Sequence, residues 1–215
     1  MNQITLNNLT PKYFTESKAN EVSGIWNSTL TINRGESCLI RANSGRGKTS
    51  LCNFLYGLRN DYNGSILFDQ KDISSFSVNK WIKYRKRYLS ILFQELRLFS
   101  ELTVIENIEL KNRLTNFKQP KEILHLLESL GIESKVNQKV GELSLGEQQR
   151  VAFVRSLCQP FHFILADEPV SHLDSDNGTI MAELLYKEAH KQGAGIIATS
   201  VGNNLNIQYD KTLHL

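Results

Sequence analysis

Short apolar runs alternate with longer stretches of helical period along this chain. Residues 4–9, 28–32, 37–40, 65–68, 89–93, 161–166 and 194–199 read as strands. Residues 50–56, a basic segment that Ser77 would cap, and residues 177–192 read as helices. Gly57 stands where the first of these should end, and Asn33-Arg34-Gly35-Glu36 reads as a turn. This alternation predicts an α/β fold. The middle of the chain departs from it. Residues 103–114 and 121–130 are helical patterns with no strand between them, and Gly131 closes the second. Leu124, Leu127 and Leu130 form its predicted apolar stripe, with Glu122 and His125 opposite. A helical insertion within an α/β core is expected.

One predicted strand and helix flank the stretch Ala42-Asn43-Ser44-Gly45-Arg46-Gly47-Lys48-Thr49-Ser50. Glycines let backbone wrap closely around an anion, and N–H groups at a helix start point toward it. Lys48 would reach the β- and γ-phosphates of a nucleoside triphosphate, and the Thr49 hydroxyl would ligate Mg²⁺. The pattern G-x-x-x-x-G-K-[ST] would begin with glycine, and here it begins with Ala42. If that position needs positive φ, alanine costs about 1 kcal/mol there.

The apolar run Phe163-Ile164-Leu165-Ala166 ends in Asp167-Glu168. Two carboxylates at the end of a buried strand need cationic or metal partners, or they mark a strand reaching solvent. Beside a phosphate loop, Asp167 would hold Mg²⁺ and Glu168 would polarise or position the attacking water.

Composition narrows the class without changing it. With 215 residues, 40% apolar and 22% charged, the chain fits one globular domain. A net charge of +3 is too small to argue for nucleic acid. The one basic cluster spans residues 80–87 and reads as a solvated helix face, with a lipid- or nucleic-acid-facing patch as the other reading. Cys38, Cys52 and Cys158 lack metal-ligand spacing and read as buried thiols in a reducing, cytosolic compartment. No run is long enough to span a bilayer, and the N-terminus lacks a signal-peptide pattern.

The segment Leu143-Ser144-Leu145-Gly146-Glu147-Gln148-Gln149-Arg150-Val151-Ala152 resembles the signature motif of the nucleotide-binding subunits of ATP-binding cassette (ABC) transporters. Gln94 stands at that family's Q-loop position, Ser171-His172-Leu173-Asp174 is similar to its D-loop, and Tyr13 lies where an aromatic ring stacks on adenine, with Phe14 as an alternative. Within the family, Phe93-Gln94-Glu95-Leu96 and Leu165-Ala166-Asp167-Glu168-Pro169 look like the lipoprotein-release, macrolide-exporter and cell-division ATPases.

The resemblance implies one domain over 1–215, a P-loop NTPase core with an antiparallel β subdomain and an α-helical subdomain inserted at about 95–155. It implies ATP and Mg²⁺ as cofactors, with nucleotide contacts from Tyr13 and residues 43–50, metal contacts from Thr49, Gln94 and Asp167, and catalysis by Lys48, Gln94, Glu168 and Ser200. Ser144, Leu145, Gly146 and Glu147, with Asp174, would act on a partner's ATP, giving a homodimer with two nucleotides in its interface. Ser144 and Glu147 also have the spacing of a capping box. An integral membrane permease would dock near residues 94–105, where Leu96, Leu98, Phe99, Leu102, Val104 and Ile105 divide between core and groove. The chain would then sit peripherally on the cytoplasmic face of the inner membrane.

Three positions depart from the family pattern: Ala42, Leu145 in place of a glycine, and Ser200 in place of the switch histidine. His172 is also unusual in a D-loop. Serine at 200 loses a charge-assisted bond, so an ATPase with reduced turnover is expected. The leading expectation is an ATPase motor subunit. A nucleotide-gated regulatory module and a soluble P-loop kinase are the alternatives, and the kinase would have no use for Ser144-Leu145-Gly146-Glu147.

Overall fold

The computed structural model describes residues 1–14, 23–171, 174–202 and 205–215. Its strands are β1 (Gln3–Pro11), β2 (Thr29–Asn33), β3 (Ser37–Arg41), β4 (Tyr62–Phe68), β5 (Lys71–Asp72), β6 (Leu89–Leu92), β7 (Phe163–Asp167), β8 (Gly195–Ser200) and β9 (Lys211–His214). Its α-helices are α1 (Lys48–Leu55), α2 (Val78–Arg87), α3 (Val104–Asn112), α4 (Pro120–Ser129), α5 (Leu145–Leu157) and α6 (Ser175–Lys191).

Two sheets form. One is parallel with order β6-β7-β8-β3-β9, and the other is antiparallel with order β2-β1-β4-β5. The inner strands β7 and β8 are buried along their whole length because both of their faces are covered, whereas the edge strand β9 has no buried residue. Side chains of the parallel strands alternate between two cores, as a two-residue period requires. Phe163, Leu165, Ile197, Cys38 and Ile40 pack toward α1 and the antiparallel sheet. Ile164, Ala166, Ile196, Ala198 and Leu39 pack toward α5 and α6.

Helix α1 closes in a Schellman turn, with the Gly57 amide on the Phe54 carbonyl at 3.0 Å and the Leu58 amide on the Asn53 carbonyl at 2.8 Å. Three helices, α3 to α5, lie between β6 and β7. In α4 the buried face is Ile123, Leu126, Leu127 and Leu130, while Leu124 is exposed. The predicted stripe is therefore rotated: Ile123 rather than Leu124 begins the i, i+3, i+4, i+7 set.

A buried ion pair ties this insertion to the core. Lys118, just before α4, bonds the Glu188 carboxylate on α6, and Lys191 reaches the same carboxylate at 2.7 Å. The side chains of Lys118 and Glu188 are only 5% and 6% exposed. The three cysteines are buried free thiols.

Candidate functional site

The site assembles at the carboxyl ends of β3, β6, β7 and β8, where open α/β sheets hold their ligands. After β3, residues 42–47 wrap into the start of α1. Gly45 has φ 77° and Gly47 has φ 95°, values that side-chain-bearing residues avoid. A Cβ on Gly47 would also stand 2.9 Å from the Trp26 ring. Trp26 backs the loop and donates its indole N–H to the Arg46 carbonyl at 3.2 Å. Gly47 is the N-cap of α1 and offers no capping side chain, and no acid occupies the first turn, so the first-turn amides face outward for an anion. Ala42 does not have positive φ, so alanine carries no left-handed strain there.

Lys48 is buried, and its ammonium donates to the carbonyls of Ala42 (2.9 Å) and Asn43 (3.1 Å). It also lies 3.3 Å from Glu168 Oε1. Gln94, just past β6, links the other side. Its Nε2 donates to Glu168 Oε2 at 3.2 Å, and its Oε1 accepts from the Thr49 hydroxyl at 3.1 Å. Lys48 and Thr49, Gln94 and Glu168, from three distant segments, thus line one cleft of about 200 Å³. Ser44, Gly45, Gly47, Ser50 and Tyr13 complete its wall.

Asp167 closes β7 and is 2% exposed. Burial pushes its carboxyl above the ordinary range, against the opposing hydrogen bonds from Thr199 (2.7 Å) and Thr49 and the charge of Lys48. Glu168 follows in the left-handed region at φ 49°, its amide on Thr199 Oγ1 at 3.1 Å. For a residue with a Cβ that conformation costs about 1–2 kcal/mol. Thr199 thereby sets both acids. Among the described residues, no group of three or more His, Cys, Asp or Glu could hold a metal. The oxygens of Thr49, Gln94 and Asp167 suit Mg²⁺, which takes few protein ligands and completes its shell with phosphate and water.

Tyr13 is half-exposed on the cleft rim, its hydroxyl 2.7 Å from Ser50 Oγ. The Arg59 guanidinium lies 5.1 Å from the Tyr13 ring centre and donates to Ser50 Oγ at 3.1 Å. Phe14 sits edge-on against both Tyr13 and Trp26 and does not line the cleft. Ser200 ends β8, is fully buried, and gives its carbonyl to the Ala42 amide at 3.1 Å. It does not line the cleft.

Ser144, Leu145, Gly146 and Glu147 lie outside that cleft as well. Ser144 is the N-cap of α5 in a full capping box, with its amide and hydroxyl each 2.8 Å from Glu147 Oε2. Leu145 is half-exposed, and Gly146 is partly buried. Gln149, within the signature-like segment but given no role by the sequence, is buried and bonds the Pro169 carbonyl, which ties α5 to the chain just past Glu168. Asp174 caps α6 through the Asn177 amide at 2.8 Å, while His172 and Leu173 of the D-loop-like segment lie outside the described residues.

Further clefts lie among the described residues, two of them prominent. The larger, about 450 Å³, has Tyr62, Phe76, Trp81 and Arg59 in its wall but no carboxylate, so the reactive groups lie elsewhere. The second, about 210 Å³, lies beyond Gln94 and includes Tyr56, Phe93, Arg97, Phe99, Leu110 and Lys111. Of the apolar run near Gln94, Leu96 and Val104 are buried, Leu98 and Ile105 pack against the core, and Phe99 is 58% exposed on this cleft. Leu96 and Arg97 both have positive φ, and Arg155 holds their carbonyls at 2.5 and 2.7 Å.

A phosphate loop feeding a helix, two acids at the end of the neighbouring strand and a glutamine between them define a P-loop nucleotide-binding cassette. Residues 25–171 match the ABC transporter family. Similar curated proteins include the lipoprotein-releasing system ATP-binding protein LolD of Buchnera aphidicola, 35% identical over 84% of this chain and 79% of its own length. The macrolide export ATP-binding/permease protein MacB of a Shewanella species is 34% identical over 86% of this chain and 29% of its own length. A dimeric post-hydrolysis ATP-binding cassette bound to ADP and Pi superposes with a TM-score of 0.78 at 28% identity, covering 93% of this chain and 88% of that one. This chain belongs to the ABC transporter ATP-binding family.

Proposed function

We propose that this protein is the ATP-binding subunit of a membrane transporter of the lipoprotein-release or macrolide-export type. Two copies close around two Mg-ATP molecules, and hydrolysis lets them part. One observation carries this reading. Lys48, Thr49, Gln94 and Glu168 converge on one cleft, while the helix start at Ser144 lies outside it. In this reading the chain is one domain with a helical insertion at about 95–155.

Each residue has a task. The 43–50 loop amides and Lys48 cradle the β- and γ-phosphates, which compete with Glu168 and two carbonyls for the ammonium. Thr49, Gln94 and Asp167 would hold Mg²⁺, which supplies charge neutralisation on the phosphates. Glu168, fixed by Gln94, orients the attacking water as general base. Tyr13 stacks on the adenine with Arg59 behind its ring. Ser144 and the Gly146 amide meet the γ-phosphate of the partner's ATP, alongside Asp174 at the interface. LolD is named as the ATP-binding protein of a lipoprotein-releasing system, and MacB's name joins an ATP-binding part to a permease. The cleft beyond Gln94, with Phe99 exposed in it, is where a short helix of a permease docks. Among the described residues no helix is long and apolar enough to cross a membrane. Membrane association through the permease, on the cytoplasmic face of the inner membrane, accounts for that.

Ser144→Asp tests the shared site. Aspartate keeps the N-cap but sets a negative charge against the partner's phosphate. ATP binding by the monomer should stay within about twofold, while ATP-dependent pairing and phosphate release are lost. A variant that still pairs and turns over would overturn the shared site.

Ser200 favours a second reading, a nucleotide-gated module with slow turnover. Its side chain is buried at the end of β8 and is too short to make a histidine's charge-assisted bond. Ser200→His should raise phosphate release several-fold in the folded dimer. An unchanged rate would remove Ser200 as the limiting feature.

A further inference from the structure

Helix α2 carries Lys80, Lys83, Arg85, Lys86 and Arg87 and no acid. Its inner face is already committed. Trp81 and Tyr84 pack on the rings of Phe68 and Phe76, Lys80 lies 3.5 Å from the Phe76 ring centre, and Arg85 bonds the carbonyls of Tyr56 and Gly57 at 3.0 and 2.6 Å. The outer face carries a different set. Val78 is 76% exposed and Ile82 50% exposed, and Lys83 and Arg87 are exposed beside them, with Lys86 half-buried. None of the ion pairs among the described residues includes Lys83, Lys86 or Arg87.

A merely solvated helix mixes charge signs and keeps its outer face polar. Here Lys83 and Arg87 repel each other one turn apart, and two branched apolar side chains stand in water next to them. We propose that this outer face rests on the anionic lipid surface of the membrane. The three outer cations would pair with headgroup phosphates, and Val78 and Ile82 would enter the headgroup boundary.

Position supports this occupant. Arg85 anchors α2 to Tyr56, and Tyr56 lines the cleft that holds Phe99. Helix α2 therefore stands beside the groove assigned above to the permease, with its basic face turned away from Tyr56, and in that sense the inference rests on that reading. A subunit docked there brings α2 toward the bilayer. Nucleic acid is the competing partner for a basic helix, but it would leave the exposed Val78 and Ile82 unexplained.

The test uses the full chain sedimented with vesicles of phosphatidylcholine alone or mixed with phosphatidylglycerol. Binding should require phosphatidylglycerol and weaken with salt. Each cation at an anionic surface is worth about fivefold in partitioning, so Lys83→Ser/Lys86→Ser/Arg87→Ser should bind more than about tenfold less. Val78→Ser/Ile82→Ser should lower binding several-fold with every charge kept. Thermal midpoint and ATP-dependent pairing, measured on the same variants, should match the parent. The proposal is overturned by equal binding to both vesicle types, by unchanged binding of the triple variant, or by displacement from phosphatidylglycerol by a short DNA duplex at matched charge. Loss of ATP-dependent pairing in the parent would sink the transporter reading without touching the vesicle result.

Discussion

Glu168→Gln is expected to lower phosphate release by about 10²- to 10⁴-fold, the range set by removing a general base, while ATP binding is kept. The amide is nearly isosteric, so Gln94 keeps a partner at 168. What disappears is one negative charge 3.3 Å from Lys48. That carboxylate both competes for the ammonium and repels a γ-phosphate. Its loss therefore favours the ATP-bound state while taking the base from the water. Single-turnover phosphate release measured beside an ATP-binding isotherm separates the two effects. A rate within about tenfold of the parent would remove Glu168 from the base role.

The largest expected stability effect lies away from the site. Glu188→Ala leaves Lys118 buried without its main partner, a situation that costs about 3–5 kcal/mol. For a chain of this length that corresponds to a drop of about 10 °C in Tm. Removing both charges in Lys118→Met/Glu188→Met should restore most of the loss, because well-packed apolar groups replace a buried pair at little cost. Calorimetry on the two variants checks this, and equal losses in both would show that packing, not charge, holds the contact.

The pair also makes the fold acid-sensitive. Burial raises the Glu188 carboxyl, but the hydrogen bonds from Lys118 and Lys191 outweigh it and hold the group below its ordinary value of 4.5. A lowered folded-state value means the stabilisation is full above about pH 4.5 and is lost as pH falls through the lowered value. The parent should therefore lose more stability than the double-Met variant on acidification below pH 4.5.

Much of the fold was legible because buried parallel strands leave uninterrupted apolar runs, as in Phe163-Ile164-Leu165-Ala166. The phosphate loop was legible because its glycines and Lys48-Thr49 are contiguous. Strand β9 was not, since Lys-Thr-Leu-His is a short edge run with half-exposed positions. The stripe on α4 was misplaced at Leu124 because adjacent Ile123 and Leu124 each fit a 3.6-residue period, and only the packing partner decides between them. Whether Ala42 needed positive φ is a property of the folded loop, and the loop places its left-handed residues at Gly45 and Gly47 instead.

The supporting contacts were the least readable part. Trp26 under Arg46, Arg59 behind Tyr13, Gln149 on Pro169 and Arg155 on the Leu96-Arg97 bend all join residues distant in sequence. No local pattern encodes such pairings. The roles at Ser144 and Ser200 depend on a second copy and on the nucleotide, which a single chain's sequence states only through resemblance.

Light scattering of Glu168→Gln in Mg-ATP and in Mg-ADP, alone and with its permease, tests the central claim that two chains share each nucleotide. The account predicts a two-chain mass in Mg-ATP that returns to one chain in Mg-ADP. A single-chain mass in saturating Mg-ATP, with and without the permease, would contradict it.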